Sequence, residues 1–231
     1  FLTAARVPDR IAIIFAGMEL TYGELKELSD RFKAALVALG IQKGDRVAVH
    51  LPNCPQFAIA YYGLLKTGAV FTPVNPLLSA GEIRNQLEDS GAETLITLDL
   101  LYPAVAEVIT AIGLKRIVTT SLADCYTAVI TPLKLLSKLE VPGTLDMATL
   151  LREHKPGAVD VPIDVQKDLA HIAYTGGTTG ISKGVMLTHQ IIVSNVIQFA
   201  CWMGGSNIEM IDGALKFVYP KGIDPEKDRV L

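Results

Sequence analysis

Three cysteines are all the sequence contains, and Cys54, Cys125 and Cys201 form no CxxC pair and no Cys/His spacing. The common zinc sites are thereby excluded, and the thiols read as reduced cysteines of a cytosolic protein. Long apolar runs are lacking too: residues 57–65 stop at Lys66 before a second run at 68–74, short of the ~20 residues a membrane helix needs. No signal peptide is recognisable, and a chain that opens on Phe1 rather than Met is expected to be a trimmed portion of a longer one. Charge of one sign is scarce. With 21 Lys and Arg against 24 Asp and Glu and a formal charge of −3, the scattered basic residues make no phosphate-tracking stripe for nucleic acid. No internal repeat or low-complexity run is evident.

What is present is an ordinary globular composition, 231 residues of which 50% are hydrophobic and 19% charged, enough for one large domain or two smaller ones. Thr21 and Glu24 have the spacing of a capping box, with Leu20 and Leu25 placed as a hydrophobic staple. Leu25, Leu28, Phe32, Leu36 and Leu39 then recur at helical spacing up to Gly40, which predicts a helix over 22–39. Ser79 and Glu82 repeat the box, Leu78 and Ile83 the staple, and Gly91 closes that second helix. Further helices are predicted at 56–67, 102–112 and 190–202, the last capped by Thr188. Strands are predicted at 46–51, 70–74, 95–98, 116–119, 169–174 and 185–187. Pro73 and Pro76 argue that the strand at 70–74 lies at an end or an edge.

This alternation predicts an α/β fold of layered, largely parallel sheets with flanking helices. Between 121 and 164 the periodicity weakens around four prolines, and helix is allowed only at 133–139 and 147–154. That stretch reads as an irregular excursion between two lobes. The expected division is an N-terminal α/β subdomain over 1–165 and the start of a second subdomain over 166–231. The ending at 219–231, rich in Pro, Lys and Asp, is expected to be loosely ordered.

The least regular stretch is the most informative. In YTGGTTGISKG, residues 174–184, six consecutive Gly or Thr residues precede Lys183. Gly176, Gly177 and Gly180 let the backbone approach a ligand with no Cβ in the way, so successive N–H groups become anion donors. Thr175, Thr178 and Thr179 add hydroxyls, and Lys183 a full positive charge. Hydrogen bonds to a charged group contribute roughly 1.5–3 kcal/mol each, so a handful can hold a polyphosphate. A surface turn with a solvated lysine is the plainer alternative, and six small residues between a strand and a lysine weigh against it. A Walker A loop fails on spacing, because Ser182 precedes Lys183 and Gly184 follows it. No GxGxxG fingerprint occurs.

The longer stretch YTGGTTGISKGVMLTH resembles the phosphate-binding signature of the adenylate-forming (AMP-binding) superfamily, which includes acyl-CoA synthetases, aryl-CoA ligases, peptide-synthetase adenylation domains and luciferases. LTYGEL at 20–25, GDRVAV at 44–49 and LLKTGAVFTPVNP at 64–76 resemble the superfamily's N-terminal motifs in the same order. Gly176 and Ser182 depart from its commonest form, Ser or Thr and Pro respectively. The resemblance implies the N-terminal part of the large domain, with ATP held by Thr175, Gly176, Gly177, Thr178, Thr179, Gly180 and Lys183. It also implies Mg²⁺ met by Thr178 or Thr179. TGGTTG with VNPLLSAGEIRNQLEDSGAETLI looks most like bacterial and archaeal fatty-acid CoA ligases, which implies an acyl adenylate captured by coenzyme A in the cytoplasm. Aryl-acid ligases, carrier-protein-loading enzymes and a non-catalytic nucleotide-binding homologue stay open, as do peripheral membrane contact and a homodimer. By the same resemblance the hinge and a C-terminal domain with its catalytic lysine lie beyond Leu231, and residues 1–231 alone are expected to be inactive.

Other conspicuous side chains read as structural. His189 is expected to make a structural hydrogen bond at a helix start, and His171 to be a satisfied core residue. Phe199 and Trp202 are expected to pack along a helix face, and Tyr61 and Tyr62 between layers.

Overall fold

The computed structural model describes residues 2–125, 137–157, 160–175, 182–204, 207–211 and 214–218. A short helix α1 (Leu2–Arg6) leads into a hairpin of β1 (Ile11–Phe15) and β2 (Met18–Thr21), and α2 (Tyr22–Ala38) follows at once. The hairpin turn is Ala16-Gly17, both at positive φ, +49° and +85°. Both central residues of a type I′ turn need that conformation, and alanine is an uncommon occupant.

Helix α2 begins as its sequence dictates. The Thr21 hydroxyl accepts from the Glu24 N–H at 3.2 Å while the Thr21 N–H donates to the Glu24 carboxylate at 2.8 Å. Leu20 and Leu25 of the staple are both buried. At the other end the Gly40 N–H reaches the Val37 carbonyl and the Ile41 N–H the Leu36 carbonyl, a Schellman closure with Gly40 at φ +77°.

Next come β3 (Arg46–His50), α3 (Pro55–Thr67), β4 (Val70–Pro73), α4 (Ala80–Ser90), β5 (Thr94–Leu98), α5 (Tyr102–Ile112) and β6 (Arg116–Thr120). Ser79 and Glu82 complete the second capping box at the start of α4. Beyond lie β7 (Leu145–Asp146), α6 (Met147–Glu153), β8 (Leu169–Thr175), β9 (Lys183–Thr188), α7 (His189–Gly204) and a hairpin of β10 (Asn207–Ile211) and β11 (Ala214–Val218). The possible helix at 133–139 and the expected loose ending at 219–231 fall largely or wholly outside the described residues.

Seven strands form one sheet in the order β7-β6-β5-β3-β4-β8-β9. Every pairing is parallel except β8 with β9. Parallel neighbours need crossover helices, and these cover both faces. Val47 and Val49 of β3 and Ile96 and Leu98 of β5 pack with Phe32, Leu36, Ile59, Leu64 and Met147 from α2, α3 and α6. Ala48 and Leu95 point the other way, toward Ile83 and Leu87 of α4 and Val105 and Ile109 of α5. The two-residue alternation of the central strands thus divides the interior into two cores.

One expectation is revised. Strand β4 is interior, hydrogen-bonded between β3 and β8, rather than at an end or an edge of the sheet. Proline is tolerated because Pro73 is the last residue of the strand, and the next amide, Val74 N–H, resumes the ladder to Val49 O at 2.9 Å. The strands on the two sides of residue 165 share this one sheet.

Helices α2 and α3 approach closely at Gly63, where a Cβ would lie 2.8 Å from Cδ1 of the fully buried Phe32. Nearby, the half-buried Lys66 ammonium spans the two helices to Asp30 at 2.5 Å and to the Ser29 hydroxyl at 2.7 Å. Burial alone would raise the Asp30 carboxyl, and Lys26 and Lys66 more than offset it, holding it below its ordinary value.

Gly63→Ala puts two effects in opposition. Helix propensity favours alanine by about 1 kcal/mol, whereas overpacking a rigid core costs about 1–3 kcal/mol. Because the Phe32 ring is fully enclosed and cannot swing away, the clash wins. The variant is expected to unfold at a lower urea midpoint than the parent; an unchanged or higher midpoint would refute the close contact.

Candidate functional site

The glycine- and threonine-rich stretch sits at the carboxyl end of β8, where the chain leaves the sheet and returns antiparallel as β9. Thr175 pairs with Lys183 and Tyr174 with Gly184, so these two pairs form the mouth of the hairpin. The Ser182 hydroxyl donates to the Thr175 carbonyl at 2.8 Å and closes it further. Of the seven expected ATP-binding residues, Thr175 and Lys183 are brought together in this way. Gly176, Gly177, Thr178, Thr179 and Gly180 lie outside the described residues. Lys183 is exposed and makes no salt bridge among the described residues.

Tyr174 anchors the mouth from below. Its hydroxyl donates to the Asp89 carboxylate on α4 at 2.6 Å. Burial and that neighbouring carboxylate push the phenol above its ordinary value, so it stays a donor at neutral pH. Its ring lies across Gly184: a Cβ there would be 3.2 Å from the ring's Cζ and 2.9 Å from Cγ2 of Ile172.

Beside the mouth, a crevice of about 1320 Å³ opens at the carboxyl ends of β3, β4 and β8. The topology explains its position. The helix after β3 belongs to one face of the sheet and the helix after β4 to the other, so the chain diverges between these adjacent strands. Open α/β sheets bind ligands at such switch points. The crevice is lined by Asn53, Asn75, Gln86, His171, Tyr174 and Ser182, among others. Gln86 Oε1 and His171 Nε2 are buried there without a hydrogen-bond partner. The sequence reading missed Asn53, Asn75 and Gln86. The first two follow strands whose ends were legible, so the switch-point rule could have found them once the strand order was known.

Other expectations need correction. His171 is not a satisfied core residue: it packs edge-on against Phe71, ring centroids 5.1 Å apart, while its Nε2 has no partner. His189 was expected to make a structural hydrogen bond; among the described residues its Nε2 is buried without a partner, and its backbone N–H donates to Asp168 O. Phe199 and Trp202 are exposed, Trp202 at 79%, instead of packed along a helix face among the described residues. Tyr61 does pack between layers, edge-on to Phe71. Cys54, Cys125 and Cys201 are free thiols, and burial pushes Cys125 up to about 12, which makes it a poor nucleophile. Among the described residues no helix is long and apolar enough to cross a membrane.

A largely parallel sheet with helices on both faces and a crevice at the carboxyl ends of its strands is an architecture in which α/β proteins bind ligands at that edge. The chain belongs to the AMP-binding enzyme family, whose model matches residues 1–213. It is 38% identical to a long-chain-fatty-acid–CoA ligase of Bacillus subtilis, over 96% of this chain and 41% of that protein. It is 34% identical to 4-coumarate–CoA ligase-like 9 of Oryza sativa, over 81% of this chain and 31% of that one. A long-chain-fatty-acid–CoA ligase from Archaeoglobus fulgidus shares the fold, with a TM-score of 0.70 at 24% identity over 86% of this chain and 37% of that chain. The chain therefore spans less than half the length of these relatives.

Burial lowers the pKa of His50, His171 and His189 below the ordinary value. The unfolded chain then binds more protons than the folded one between the unfolded value, about 6.5, and the lower folded values, so stability rises with pH across that window. The melting temperature is expected to fall as pH drops from 7.5 to 5. A flat profile over that range would show that the three imidazoles protonate freely in the fold.

Proposed function

We propose that this chain holds the triphosphate of ATP for the activation of a carboxylic acid, and that the full protein passes the resulting acyl adenylate to coenzyme A. The observation that carries the reading is the facing pair Thr175 and Lys183 at the mouth of the β8–β9 hairpin, beside the switch-point crevice. In this reading Thr175, Gly176, Gly177, Thr178, Thr179, Gly180 and Lys183 contact the β- and γ-phosphates. Lys183, exposed and without a carboxylate partner among the described residues, is suited to phosphate because no internal ion pair must first be broken. Its ammonium would balance the charge that grows on departing pyrophosphate, an electrostatic rather than a covalent role.

Thr178 or Thr179, whose hydroxyls are hard oxygen donors, would help to hold Mg²⁺, which when bound would supply positive charge against the phosphates. A fatty acid is favoured as substrate by the Bacillus relative, which the chain matches at higher identity than the plant relative named for coumarate. An aryl acid is the second reading, and the plant relative is what supports it. The cytoplasm is the proposed location.

The test is acid-dependent exchange of labelled pyrophosphate into ATP by the full-length protein, across fatty acids of graded length and a set of aryl acids. No exchange with any acid would sink the proposal, and exchange with aryl acids alone would select the second reading. Lys183→Ala should raise the KM for ATP about 10- to 100-fold, the equivalent of about 1.5–3 kcal/mol for a charge-assisted contact. The KM for the acid should stay near its original value; equal losses for both substrates would remove Lys183 from the phosphate site.

A further inference from the structure

The loop's chemistry depends on where Thr175 and Lys183 point, and neither residue fixes itself. Both are exposed, and the ladder between β8 and β4 registers one pair, Phe71 with His171, three residues before Tyr174. Near its carboxyl end, by contrast, β8 has a second attachment. The Tyr174 side chain reaches sideways to α4, on the other side of the crevice, and meets Asp89 at 2.6 Å and the Gln86 carbonyl at 3.4 Å. The same ring covers Gly184 on β9, the residue directly opposite Tyr174 in the ladder. One side chain therefore ties three segments together: the strand entering the loop, the strand leaving it and a helix of the fixed sheet.

We propose that Tyr174 is a positioning residue for nucleotide binding, its hydroxyl held by Asp89 and its ring seated on Gly184, so that Thr175 and Lys183 are set at the spacing that phosphate requires. Gly184 is part of the device. Any Cβ there would meet Ile172 and the Tyr174 ring at 2.9–3.3 Å, so glycine is what lets the ring cross the hairpin and reach α4. The proposal rests on the phosphate reading given above.

The experiment uses the full-length protein and two readouts, ATP affinity by titration calorimetry and the separate KM values for ATP and acid from pyrophosphate exchange. Tyr174→Phe and Asp89→Asn should each weaken ATP binding about five- to tenfold, the effect of one hydrogen bond to a charged group partly transmitted. Their combination should be no worse than either alone, because both remove the same bond. Gly184→Ala, which leaves both partners in place but displaces the ring, should weaken ATP to a similar degree. In all of them the KM for the acid should hold. Asp89 lies on the outside of α4, so Asp89→Asn keeps the question answerable if the tyrosine variant fails to fold.

Unchanged ATP affinity in folded Asp89→Asn, additive losses in the double variant, or equal weakening for ATP and acid would each overturn the positioning role. A protein that binds ATP with the expected variant pattern yet exchanges no pyrophosphate with any acid would retain that role and refute acid activation. A parent protein that does not bind ATP would refute both.

Discussion

Strand β3 is covered on both faces, with Val47 and Val49 turned to one core and Ala48 to the other, and no residue of its parallel neighbours can be reached by a tight turn. Everything else in the fold answers that constraint. Parallel pairing demands crossovers, the crossovers are helices, and each helix must bury an apolar stripe against one face. Because α3 takes one face and α4 the other, the loops after β3 and β4 diverge and leave the crevice between them. The site's position is thus a consequence of how the centre of the sheet is buried, before any functional residue is considered.

The β8–β9 hairpin is the exception to the parallel rule, and it places the loop. A parallel strand following β8 would have carried the chain away through a crossover. An antiparallel return brings Lys183 back opposite Thr175, within one ladder rung of where the chain left. Thr175 and Lys183, close in the sequence, are therefore partners in the ladder as well.

Features governed by local chemistry were legible in the sequence. Both capping boxes, the staple at Leu20 and Leu25 and the glycine closures at Gly40 and Gly91 depend on residues three to six positions apart, and the structure forms each of them. The hairpin at 11–21 was not legible, because its type I′ turn is Ala16-Gly17 in place of the usual Asn-Gly or Asp-Gly. Interior β4 was misread because proline's missing N–H depends on its place in the ladder, and only the strand order reveals that. Of the candidate site, the proposal of the loop and Lys183 comes from composition and spacing. The crevice residues Asn53, Asn75 and Gln86 come from segments far from β8 in the chain, and the contact between Tyr174 and Asp89 joins residues 85 positions apart; no periodicity encodes such pairs.

That division has an energetic sense. Fixing the backbone of one residue costs about 1–2 kcal/mol, while a hydrogen bond from one N–H or hydroxyl to a charged phosphate contributes about 1.5–3 kcal/mol. A loop residue that had to be ordered by the ligand alone would return little more than it cost. Thr175 and Lys183 stand differently, because the ladder, the Ser182 hydroxyl and the Tyr174 ring have already fixed their backbones at the expense of folding. In the proposed phosphate role their contacts would reach a ligand nearly undiminished. The two ends of the hairpin mouth are held by a side chain that the motif contains, Tyr174, and a carboxylate that it does not, Asp89.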